Sequence, residues 1–400
     1  VQVFPPPSGL IVTPDPSSWN VYAGDRIILL SGATGQQPIT TQWQHNGVDI
    51  PGATAPELVI TNITPAQAGT YVFVATNAVR HRASPPATVV VNPRPPMAYN
   101  LVARYLFNAD DGTNILDDAP LGFAKTASHD GVNSHNGLSA TWVSSVTDSN
   151  NVTRTGVMEF NGSDPDQLEI PPHIDFDSNV GAIAFWIVCA PPAVREALLF
   201  DRRGGTNNWG DLIVINLDSP DSPNGVPNAL YDQAYPCGIN VGGTVPVDDG
   251  RWHHIAYVYT WIPFGIVSFY IDGKLDQEKT SNDPGAWPLD QELEFGTSHD
   301  SYWTPYTGYM DDIYIFNRSL NPAELTQLMT SGVPPIPPKL TASVTGTNLT
   351  LSWPGTGYVL QQNSNLANSA GWTNVLGATA SPVTTPLPRS GNDFYRLEQQ

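Results

Sequence analysis

Apolar runs in this chain are short, alternate with period two and stop at Pro, Gly, Asn or Asp on a spacing of ~10 residues. Such punctuation excludes long amphipathic helices. Pro removes a helical N–H, and Gly costs ~1 kcal/mol in a helix interior. With 38 Pro and 34 Gly among 400 residues, the interruption runs from end to end. The clearest runs cover 21–30, 40–44, 58–60, 70–76, 88–91, 182–188, 267–275 and 348–353. The fold class they predict is all-β. One core rarely serves 400 residues, so two to four domains are expected, and spacers divide the chain into three β-sandwich domains in series. Two proline-rich stretches, Asn92-Pro-Arg-Pro-Pro96 and Val333-Pro-Pro-Ile-Pro-Pro338, read as stiff spacers. The boundaries are then an extended arm over 1–10 around Pro5-Pro-Pro7, a sandwich over 11–93, a large domain over 97–332 and a small one over 339–400.

Charge narrows the partners. There are 17 basic and 37 acidic residues, a formal net charge of −20, and no clustered Lys or Arg. Nucleic acid and anionic membrane surfaces are therefore poor partners. No apolar run approaches the ~20 residues of a membrane-spanning helix. The acidity suits solubility outside a cell or binding of a divalent cation. The two cysteines, Cys189 and Cys237, are either bridged or buried as thiols; a bridge would be worth roughly 4 kcal/mol.

The stretch 308–328 is the most constrained. Ile313 and Ile315 alternate with Tyr314 and Phe316, as in a strand buried on both faces. Asn321 then offers an N-cap, Pro322 a first helical residue and Glu324 the acidic partner three after the cap. Strict alternation puts Asp311 on the face of Ile313 and Ile315, where a buried carboxylate needs a partner.

Within 11–93, Gly24-Asp-Arg-Ile-Ile-Leu-Leu-Ser31, Gln42-Trp43 and Ala66-Gln-Ala-Gly-Thr-Tyr71-Val-Phe73 resemble an immunoglobulin domain. Trp43 matches its core tryptophan and Tyr71 its tyrosine corner. Ser31 and Phe73 stand where that family has its two cysteines, so the domain is expected to be disulfide-free. Across 97–332, Asp249-Gly-Arg-Trp-His-His254, Tyr270-Ile-Asp-Gly-Lys274 and the 308–328 stretch resemble a concanavalin A-like, laminin G-type jelly roll. Over 339–400, Leu351-Ser-Trp-Pro354 resembles a small fibronectin-like β module. Together the resemblances imply a secreted, extracellular bacterial protein, free or associated with a cell surface. The jelly-roll likeness further implies a structural calcium held by Asp311 or Asp312 facing Asp117 or Asp118. The alternative is an Asp that caps turns through backbone N–H groups without an ion.

Candidate binding residues are the aromatic rings of three loops, Trp209, Tyr231, Tyr235, Tyr302, Trp303 and Tyr306, set among Asn and Asp. Rings stack on sugar C–H faces while amides and carboxylates take hydroxyls. Catalysis is not expected. No Glu-x-Asp-x-x-Glu strand occurs, and Glu292 and Glu294 read as a solvated outer face. His253 and His254 are neighbours on a strand and point oppositely, so they cannot line one site. The first expectation is a non-catalytic binding or adhesion protein that recognises a glycan or glycoprotein. The second is a homopolymer, a structural subunit of a filament or surface layer joined through its N-terminal arm or sandwich edges. A glycan-cleaving enzyme is the remote third.

Overall fold

A computed structural model describes residues 11–15, 18–119, 125, 127–132, 134–135, 138–162, 168–189, 197–202, 211–216, 226–234, 239–261, 265–281, 291–296, 303–333, 340–353, 358–365, 368, 371–386 and 393–399. The arm 1–10 lies outside these. The fold is 57% strand and 5% helix, which settles the all-β class. Among the described residues no helix is long and apolar enough to cross a membrane. Residues 1–333 form one compact unit and 334–400 a second.

The first unit opens with a sandwich. One sheet pairs Ile11–Asp15, Ile27–Thr34 and Glu57–Ile60; the other runs Ser18–Tyr22, Ala87–Asn92, Gly69–Thr76, Thr40–His45 and Val48–Asp49. Trp43 fills the core against Phe73, ring centroids 5.0 Å apart, which is the packing expected where no disulfide crosses the sheets. The Tyr71 hydroxyl donates to the Gln67 carbonyl at 2.8 Å, closing the predicted tyrosine corner.

The large domain packs two sheets face to face. The first sheet runs Thr141–Thr147, Thr153–Asn161, Thr307–Phe316, Val180–Val188, His253–Thr260, Gly265–Ile271 and Lys274–Ser281, with Leu101–Tyr105 also on Thr307–Phe316. The second includes Leu168–Ile170, Leu293–Phe295, Ala197–Arg202, Asp211–Asn216, Ala229–Ala234 and Ile239–Pro246. Ile183, Phe185, Ile187, Tyr257, Phe269 and Ile313 face the second sheet across the core. Asp272 and Gly273 have φ of 51° and 74°, the left-handed pair that a two-residue hairpin requires.

The first sheet's outer face is apolar too, because the chain covers it. Ala182, Ala184 and Ala256 leave room for the helix Pro322–Ser331, whose Leu325 and Leu328 bury there for roughly 1.5–3 kcal/mol each. Asn321 caps that helix as predicted, accepting from the Glu324 N–H at 2.9 Å, while Glu324 reaches back to the Asn321 N–H at 3.1 Å. Another part of the face meets the N-terminal sandwich, whose core cluster takes in Ile266. The linker is thus no free spacer. Arg94 donates to the Ala23 carbonyl at 2.6 Å, to Glu324 at 2.5 Å and to Asp25.

The second unit has two three-stranded sheets, Thr341–Thr345, Asn348–Ser352 and Val383–Pro386 against Thr373–Asn374, Tyr358–Asn363 and Phe394–Gln399. Leu351, Trp353, Tyr358 and Leu360 form its core.

Candidate binding cleft

Docking of the sandwich leaves a cleft of about 710 Å³ between its edge strand Ser18–Tyr22, the outer face of the first sheet and the segment 318–322 that enters the helix. That volume is in the range of small-ligand sites, roughly 300–1,000 Å³. Alternation builds the wall: Trp19 and Val21 turn inward, while Ser18 and Asn20 are exposed. Across from them Val258, Ile266, Ser268 and Tyr270 project from the sheet, and Asn62 and Asn321 add amides.

The charges in the cleft are neutralised in place. Arg26 pairs with Glu278, whose carboxylate also accepts the Ser268 hydroxyl at 3.0 Å. Burial pulls the Arg26 guanidinium below its ordinary pKa and pushes the Tyr270 hydroxyl above its own. The Arg26 Nε–H is buried with no acceptor among the described residues. Asp25 accepts from Tyr22 N at 2.9 Å and from the Ser319 hydroxyl at 3.0 Å besides pairing with Arg94. Burial raises its pKa, and Arg94 opposes that rise.

The segment entering the helix is tied down by Arg318. Arg318 grips Glu324 at 2.7 and 3.0 Å and donates to the carbonyls of Met97 and Tyr99. At Gly24 the φ is +91°, and an added Cβ would lie 2.7 Å from the Asn321 amide, so no larger residue fits this junction without displacement.

Among the described residues, two of the expected rim rings belong to the core instead. Tyr306 is fully buried and its hydroxyl donates to the Val188 carbonyl at 2.9 Å. Tyr231 is also buried, packed with Leu198 and the partly buried Trp303. Tyr231 belongs to packing because its strand pairs on both sides, and Tyr306 because it lies buried between Thr304–Pro305 and Thr307–Phe316. Trp209, Tyr235 and Tyr302 lie outside the described residues. Glu294 is likewise not solvated: it is fully buried, opposite Asp201 and Glu169 on neighbouring strands, and Glu292 is half-buried. Cys189 is a free, buried thiol rather than half of a bridge. It donates to the Val247 carbonyl at 3.6 Å, and burial pushes its pKa up to about 12. Cys237 lies outside the described residues.

The predicted calcium ligands are divided between two arrangements. Asp312 has φ +49° and bulges out of the strand, shifting its register, so Asp311 stands opposite Trp186 on the outer face and not with Ile313 in the core. There Arg154 lies 4.4 Å above the Trp186 ring, donates to Asp311 at 2.7 Å and pairs with Asp312. Burial and the neighbouring Asp312 charge raise the Asp311 pKa, against the pull of Arg154. Asp118 pairs with Arg104 at 2.5 Å. Asp117 accepts the N–H groups of Arg104, Ala119 and His129, each at 3.0 Å, and pairs with Lys125 at 2.5 Å. Nitrogen donors surround all four carboxylates, whereas calcium needs a shell of ~6–8 oxygens, so this set does not fit the ion. Asp117 instead caps turns through N–H groups.

The cleft itself was not legible beforehand. Its parts are separated by up to about 300 positions, and no motif links Trp19, Arg26 and Tyr270.

Residues 161–326 match the concanavalin A-like lectin/glucanases superfamily in its laminin G form. No curated protein matches the chain. Similar solved structures include domain 4 of AbnA, a GH43 extracellular arabinanase from Geobacillus stearothermophilus, in complex with arabinotriose. It is 18% identical, with 58% of this chain and 98% of that chain covered and a TM-score of 0.41. The binding domain of Paraclostridial Mosquitocidal Protein 1 is 13% identical over 74% of this chain and 72% of its own, TM-score 0.40. The four N-terminal Ig domains of Dscam1 are 24% identical over 22% and 21%, TM-score 0.20. The large domain is a concanavalin A-like jelly roll, within an all-β chain.

Proposed function

We propose that the chain is a non-catalytic extracellular binding protein whose cleft holds a neutral, hydroxyl-rich saccharide. The observation that carries this reading is the cleft itself, about 710 Å³ and lined by Trp19 and Tyr270 with the amides of Asn62 and Asn321. Aromatic rings stack on the C–H face of a sugar. Asn62, Asn321 and Ser268 supply further partners of both senses. Because Arg26 is neutralised by Glu278, and the chain carries −20 overall, an anionic glycan has nothing to gain. Binding without cleavage follows from the carboxylates: Asp25 and Glu278 are already occupied by Arg94, Arg26 and hydroxyls.

A glycan array followed by calorimetry tests the proposal. Tyr270→Ala and Arg26→Ala should each weaken binding of a neutral oligosaccharide about tenfold or more, the loss of ~1.4 kcal/mol or more. Trp303→Ala should leave it unchanged. Absence of binding to every neutral glycan, or full affinity in both cleft variants, would overturn it.

A further inference from the structure

Three chelating side chains outside the cleft converge from distant parts of the sequence. His129 lies in the turn before Gly131–Val132, and His173 and Asp175 flank the start of the 3₁₀ turn Ile174–Phe176. His129 Nε2 is 3.0 Å from Asp175 Oδ2, and His173 Nδ1 is 3.4 Å from the same oxygen. The imidazole centroids are 4.5 Å apart. One ligand atom of each residue lies within 4.8 Å of the other two, the grouping of this kind found among the described residues. Bonds of ~2.0–2.1 Å from a tetrahedral ion place its ligand atoms roughly 3.3–3.5 Å apart, close to the spacing already present around Asp175.

We propose that His129, His173 and Asp175 form a site for a divalent transition metal of the zinc class, with water as the remaining ligand. Two imidazole nitrogens and one carboxylate favour such an ion over calcium, which prefers oxygen alone. His173 Nδ1 accepts the Asp175 N–H at 3.1 Å and so carries no proton; ligation exchanges this cap bond for the ion. The ion takes the place of the hydrogen between His129 Nε2 and Asp175, and the neutral ring then carries its proton on Nδ1. The ligands are oriented in advance. His129 donates its N–H to Asp117 at 3.0 Å, accepts the Tyr105 hydroxyl on its carbonyl at 2.7 Å and packs on Phe176 at 4.6 Å. Arg202 in turn holds the 3₁₀ turn through the Phe176 carbonyl and Asp177. Such outer partners are what fixes ligand geometry in metal sites. His129 and Asp175 are buried, while the His173 side chain is 30% exposed and leaves an entry from solvent.

The test is titration of the full, chelator-treated chain with cobalt(II), followed by zinc competition. The expected result is visible absorption that saturates at one equivalent, disappears on adding zinc and is accompanied by a rise in Tm. His173→Ala, at the exposed position, should abolish the bands and weaken binding at least ~100-fold, more than loss of an outer partner. Asp175→Asn serves if that variant fails to fold. His81→Ala, an exposed histidine elsewhere, should change nothing. No bands at saturating cobalt overturn the proposal, as does binding of unchanged strength in the His173 and Asp175 variants, which would assign the metal to the acidic surface.

Discussion

His254 sits opposite Trp186 on the outer face of the first sheet, 1% exposed, its ring edge-on to the indole at 5.2 Å. Neither ring nitrogen has a partner among the described residues. Burial pulls its pKa down to about 4; the Asp272 charge opposes this and the Arg154 charge adds to it. A histidine depressed in the fold takes up its proton more readily when unfolded, so its contribution is complete above pH ~6.5 and lost as pH falls toward 4. That contribution is roughly 3 kcal/mol. Urea unfolding at pH 7 and pH 4.5 should show His254→Phe losing less stability across the window than the parent chain. An identical loss in both would show that His254 is not the group responsible. Its neighbour His253 behaves differently, hydrogen-bonded to Asp272 at 2.9 Å and to Asp249 at 3.2 Å, which together raise its pKa despite its burial. The opposed directions of the two rings were legible from strand alternation; the partners of His253 were not, since Asp249 and Asp272 meet its ring only in the folded chain.

At the scale of elements, the strand-to-helix segment shows how far local rules extend. Cap, first-turn proline and capping box all follow from residues within one turn, and all are present. Alternation along the preceding strand holds for Ile313, Tyr314, Ile315 and Phe316 and then fails at Asp312, where the bulge reverses the side on which Asp311 points. Asp tolerates positive φ better than most residues, so the Asp-Asp pair was a faint signal of that bulge. Glu324 carries more than a cap, because Arg94 and Arg318 both end on it. Asn321→Ala should therefore cost about 1 kcal/mol, the usual loss of an N-cap. Glu324→Ala should cost about 3–5 kcal/mol, since it takes the carboxylate from the buried Arg318 and one of the two from Arg94. Chemical denaturation of the two variants checks the ranking, and equal losses would reduce Glu324 to a cap.

For the whole molecule, the consequential feature is that the N-terminal sandwich and the jelly roll form one body with a cleft at their junction. Arg94→Ala removes the group joining Ala23, Asp25 and Glu324. It should widen the distribution of interdomain distances in X-ray scattering and weaken saccharide binding, while each domain keeps its own far-UV signature. Unchanged scattering would mean that the apolar contact around Ile266 holds the junction alone. The sequence by itself determined the all-β class, the disulfide-free core around Trp43 and Phe73, the Asp-Gly hairpin and the capped helix, because each rests on contacts between near neighbours or on strand period. Only the tertiary structure decided that Tyr231 and Tyr306 are core, that Asp311 serves Arg154, that Cys189 is a lone thiol and that Trp19 and Tyr270 share a cleft. Those outcomes depend on strand register and domain docking, which are fixed by contacts between residues far apart in the chain.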